Sequence, residues 1–111
     1  MIILLPLRTV SVSNVREHWS ARALRAKQHR MVAKVEVVAA LKGARSHDQV
    51  RTVTLTRLAP RSLDTDNLAA SLKAIRDGVA DALGVTDGPG GIAWRYQQAK
   101  ARTYGVRITV E

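Results

Sequence analysis

The chain has 111 residues, 18 Lys plus Arg against 9 Asp plus Glu, a formal charge of +9 and no cysteine. That length supports one domain with a single core, and the charge points to a polyanionic partner. The lack of cysteine excludes a disulfide framework, thiol catalysis and the cysteine-rich zinc modules.

The opening MIILLPL is apolar, but it is too short to span a bilayer and lacks a basic flank or a small-residue cleavage pattern. It reads as part of a first strand over residues 2–10, with Pro6 favouring an edge position or a bulge. A long helix is expected over residues 13–41. Asn14 and Glu17 resemble a capping box, and a start near Ser20 is equally compatible. Arg16, Arg22, Arg25, Lys27, Arg30 and Lys34 stud this helix against only Glu17 and Glu36. Such a run reads either as a solvated face or, given the global charge, as a surface that tracks phosphates. Trp19 reads as a core residue.

Residues 43–49 read as a polar turn region. Residues 49–58 set Val53 and Leu55 against threonines, the pattern of a half-buried strand, and Pro60 ends it. In residues 67–83, Leu68, Leu72, Ile75, Val79 and Leu83 make one buried helical stripe. Asp66 or Asn67 can cap this helix, and Gly84 can close it in a left-handed turn. Asp66, Ala70, Lys73 and Asp77 lie along a second stripe, roughly opposite the first. The loop at 87–91 is glycine-rich but lacks the Gly-Lys-Ser/Thr of a nucleotide cradle. Residues 92–100 and 104–111 both alternate and read as a hairpin. The order β-α-β-α-β-β predicts an α+β fold of two layers, a small mixed sheet with helices packed on one face, in a single domain over residues 1–111.

The three histidines, His18, His29 and His47, match no zinc spacing and read as surface or structural. A carboxylate-pair glycosidase would need an aromatic cleft, and this chain is 4% aromatic with no phenylalanine. The acids are more telling. Asp64, Asp66, Asp77, Asp81 and Asp87, five of the nine, fall within residues 61–87. Magnesium prefers oxygen ligands, usually one or two carboxylates, with phosphates and water in the remaining positions. Asp64 and Asp66 flank one residue, so in an extended segment both side chains point the same way. The same Asp-x-Asp-Asn entering a helix is also a common cap. Asp87 lies beyond the far end of the helix and has to be brought back to join the pair. Asp77 and Asp81 read as solvated helix acids.

LDTDN, an amphipathic helix carrying Lys and then Asp-Gly, a Gly-Val-x-Asp loop and a basic alternating strand together resemble the RusA-type Holliday junction resolvases, small endodeoxyribonucleases of bacteria and phages. The resemblance is clearest over residues 57–111. It implies a cytoplasmic homodimer that binds four-way DNA junctions and cuts two strands symmetrically with Mg2+, or with Mn2+ in its place, and it implies neither a membrane nor a small-molecule cofactor. It implies Asp64, Asp66 and Asp87 as the metal-binding acids and Lys73 as the lysine beside them. Arg16, Arg22, Arg25, Lys27, Arg30, Arg57, Arg61, Arg95 and Arg102 would then hold the DNA backbone. The chain departs from the family pattern in three places: Lys73 comes two helical turns after the acids instead of one, Asp87 stands without a second acid, and the loop after it is rich in glycine. A nucleic-acid-binding module without catalysis, its acids acting as caps and surface charge, is the competing expectation.

Overall fold

The computed structural model describes residues 1–10, 18–42, 50–84 and 91–111. In chain order the elements are β1 (Ile2–Leu5), α1 (Trp19–Leu41), β2 (Thr52–Ala59), α2 (Thr65–Leu83), β3 (Ala93–Lys100) and β4 (Gly105–Val110). The fold is α+β, with four strands in the order β1-β4-β2-β3. β2 and β3 are parallel, and β4 runs antiparallel to both β1 and β2. Consequently β1, β2 and β3 all point the same way, and α1 and α2 are the two return connections that parallel strands require.

The core is the layer between sheet and helices. Val53 and Leu55 of β2, Val106 and Ile108 of β4, Leu72, Ile75 and Val79 of α2, and Ala33 and Val37 of α1 meet there fully buried. α2 presents the apolar stripe read from its sequence, and Gly84 ends it with φ 69, in the left-handed region. The α1–α2 contact is close at Gly78, where a Cβ would collide with the Arg30 carbonyl oxygen and lie 2.9 Å from the Ala33 Cβ. Beside it, the Arg30 guanidinium donates to both Asp81 carboxylate oxygens, at 2.7 and 2.9 Å.

Several expectations change. β1 stops at Leu5 instead of running to residue 10, because Pro6 has no N–H to continue a ladder; its edge position is as read. α1 begins at Trp19, with His18 as the cap whose Nδ1 accepts from the Ser20 N–H at 3.2 Å. The alternative start at Asn14 and Glu17 lies outside the described residues. Trp19 is 73% exposed, not a core residue, since the first position of the helix projects past the layer that α2 covers. The hairpin does not form: β2 lies between β3 and β4. The reason is apolar content. β4, with Val106, Ile108 and Val110 all buried, takes an inner place, whereas β3 offers only half-buried Trp94 and Tyr96 and takes the edge.

Candidate functional site

The three parallel strands deliver their carboxyl ends to one edge of the sheet, and there the amino ends of both helices open. In open α/β sheets, ligands bind outside the carboxyl ends of the strands. Here the edge carries a hollow of about 410 Å³ lined by Arg57, Arg61, Ser62, Gln98 and Lys100. Lys100 and Arg102 follow from β3, and Arg8 lies over the Tyr104 ring at 4.4 Å. The segment Arg61–Asp64 leads from this hollow into α2.

Asp64 is the cap of α2. Its Oδ1 accepts from the Asn67 N–H at 2.9 Å and its Oδ2 from the Asn67 side-chain amide at 3.1 Å. The cap thus sits two to three residues ahead of the position expected at Asp66 or Asn67. Asp66 falls in the first turn and is exposed. Because Thr65 and Asp66 are already helical, strand alternation does not align the two acids; the helix mouth is what gathers them. Negative charge is favoured there by the helix dipole. A carboxylate offers about four lone-pair sites, so Asp64 keeps acceptor capacity beyond its two hydrogen bonds. Two hard-oxygen donors suit magnesium, with phosphate and water completing the set. Among the described residues, no group of three or more His, Asp or Glu side chains is placed to hold a metal ion.

The other described members of the expected set lie apart from this pair. Lys73 donates to Asp77 at 3.1 Å, one turn further along α2, and lies about 10 Å along the axis from Asp66. It does not stand with the acids. Asp87 lies outside the described residues. Among the arginines, Arg57 is buried. Its Nε donates to Thr9 Oγ1 at 3.0 Å and its Nη1 to the Arg61 carbonyl at 2.7 Å. Burial pushes the pKa of this guanidinium down, with Tyr104 opposing the shift. Arg57 is therefore an internal brace between the segment after β1 and the loop before α2, not the surface contact expected of it. Arg30 is committed to Asp81. That pair holds the Asp81 carboxyl below the ordinary aspartate range, first through its hydrogen bond. Arg61, Arg95 and Arg102 are exposed, as are Arg22 and Lys27, while Arg25 is half-buried. Arg16 lies outside the described residues. Arg22, Arg25 and His29 line a second hollow between the amino halves of α1 and α2. Burial, followed by the Arg25 charge, pushes the His29 pKa down.

Sequence reasoning missed Gln98. Its side-chain amide donates to the Leu63 carbonyl at 2.7 Å and accepts from the Leu63 N–H at 2.9 Å. This two-point grip fixes the backbone immediately before Asp64. Nothing local marks it, because Gln97 and Gln98 differ only in which sheet face they occupy, and that follows from the register of β3 on β2. No protein-family model and no curated protein matches this sequence. Among the described residues, no helix is long and apolar enough to cross a membrane.

Proposed function

We propose that the protein is a magnesium-dependent endodeoxyribonuclease that hydrolyses phosphodiesters in branched DNA, with the four-way junction as substrate, in the recombination and repair of cytoplasmic DNA. The observation that carries this reading is the charge arrangement at the strand ends: Asp64 and Asp66, at the mouth of α2, follow directly in the chain on a hollow lined by Arg57, Arg61 and Lys100. A surface built only to hold phosphate gains nothing from carboxylates in its midst, since like charges repel at contact distance. A cation between them removes that conflict.

Asp64 and Asp66 would hold the ion, which supplies charge neutralisation and Lewis acidity when bound. Gln98 keeps the loop ahead of Asp64 in place, and Arg57 braces the same loop from the sheet side. Arg61, Lys100 and Arg102 would draw the DNA backbone onto the edge, with an affinity that falls steeply with salt. Asp87 enters this scheme through the resemblance to RusA-type enzymes alone, and Lys73 is assigned no role beyond its pair with Asp77. Symmetric cutting of a junction calls for two sites related by a two-fold axis, hence a homodimer.

The test is cleavage of a labelled synthetic four-way junction beside linear duplex and flap DNA, with magnesium, with manganese and with chelator. Paired nicks that require metal and disappear in Asp66→Asn, with junction binding retained, are the expected result. The second reading, a nucleic-acid-binding protein without catalysis, draws on the capping hydrogen bonds of Asp64, which account for that residue without any metal. Salt-sensitive binding with no cut under any metal would favour it.

A further inference from the structure

α1 has apolar residues on two sides. Ala33, Val37 and Leu41 face inward and are buried, yet Leu24, Met31, Val35 and Val38 are each about half exposed on the other side. With Ala21 and Gln28 they fall at 21, 24, 28, 31, 35 and 38, alternating steps of three and four. That spacing is the seam of a two-stranded coiled coil, in which the 3.5-residue repeat keeps one stripe against a partner helix. An ordinary surface helix keeps one apolar stripe and a polar remainder.

We infer that this outer face of α1 pairs with the same face of a second copy of the chain, the two helices running parallel about a two-fold axis. The seam spans about 26 Å and is matched to itself. Gln28 is its one polar member, at a position where a polar side chain is best accommodated by the identical residue in register. The flanking charges choose the direction. In the parallel arrangement Lys27 lies beside Val32 of the second copy and Lys34 beside its Ala39. An antiparallel pair would set Lys27 against Lys34 of the second copy. Since α2 runs parallel to α1, the parallel pairing also turns both α2 amino ends, with Asp64 and Asp66, toward the same side of the dimer.

The pairing is tested without DNA or metal, so its result is read apart from cleavage: a chain found monomeric would remove the homodimer that symmetric cutting calls for and leave the metal-dependent chemistry untouched. Sedimentation of the full chain at 0.3–1 M salt, a range set to screen charge repulsion over about 3–6 Å, should show a dimer. Met31→Glu combined with Val35→Glu should be monomeric with an unchanged far-UV circular dichroism spectrum, since both positions are exposed in the single chain. The natural chain has no cysteine, so Gln28→Cys and Met31→Cys report orientation directly. Each alone should cross-link to itself under mild oxidation. A chain that is monomeric throughout, including one that instead sediments with anionic vesicles, would overturn the inference. So would a dimer indifferent to Met31→Glu with Val35→Glu, or cross-linking only when the two cysteine variants are mixed.

Discussion

The two helices are neighbours of similar length, and they are held in opposite ways. α2 has one apolar side, an aspartate cap at its start and a left-handed glycine at its end. Its stripe of Leu68, Leu72, Ile75, Val79 and Leu83 is buried throughout. α1 has a histidine where α2 has a carboxylate cap, and its C-cap is Lys42 in extended backbone. It is located by what touches it, through the close approach at Gly78 and the Arg30–Asp81 pair. α2 is therefore specified by its own sequence, and α1 by α2. The exposed side of α1 adds nothing to the single chain's core.

The sharpest way to break this contrast is to truncate each helix on its apolar side. Leu72→Ala, fully buried in α2, should cost about 4 kcal/mol in urea unfolding. Val38→Ala, on the outer face of α1, should leave the unfolding of the isolated chain nearly unchanged. Gly78→Ala comes next, at about 3 kcal/mol, because its methyl group meets backbone oxygen that cannot swing away. An equal loss in a version lacking the α1 contact would show that the strain lies within α2 itself. Gly84→Ala probes a different property. Among the described residues no atom lies within 4 Å of its Cβ position, so the penalty expected is that of the left-handed backbone, about 1 kcal/mol. Asp64→Ala should cost about 1 kcal/mol for the lost cap, whereas Asp64→Asn keeps the cap and isolates any role in cleavage. Arg30→Ala, which breaks an exposed pair screened by salt, should cost less than any of these except Val38→Ala. Its signature is pH dependence. The Asp81 carboxyl titrates lower in the folded chain than in the unfolded one, so its contribution is full above the ordinary aspartate range. That contribution is lost as pH falls through that range to the lowered value. Acid titration of the wild type and of Arg30→Ala should therefore converge at low pH.

What could be read from the sequence follows the same division. The periodicity and Gly84 located α2 because both are local. The order and class of the elements were legible for the same reason, and so was the edge position of β1, through Pro6. Strand neighbours were not. The alternation in residues 92–100 and 104–111 reports that each is a strand and carries no address, so a hairpin was the nearest pairing, whereas burial placed β4 inside and β3 outside. At the site, the two acids of the helix mouth were visible as a motif, but the choice of Asp64 as cap depends on where the helix begins. The partner of Lys73 depends on a rotamer, the burial of Arg57 on Thr9 meeting it from 48 positions away, and the grip of Gln98 on a parallel register. Each is a tertiary fact with no local trace.

The pairing of β1 with β4 carries a consequence for the order in which the molecule is made. Among the described elements β1 comes first in chain order, and β4, the strand it pairs with, comes last. At 5–20 residues per second, roughly 5–20 s separate the synthesis of Leu5 from that of Gly105. During that interval Ile3 and Leu5 have no strand beside them, and the βαβ unit of β2, α2 and β3 is finished first. Nascent chains arrested before residue 105 should therefore hold a protected β2–β3 pair while β1 remains open to chaperones, with the sheet completed only once β4 is added.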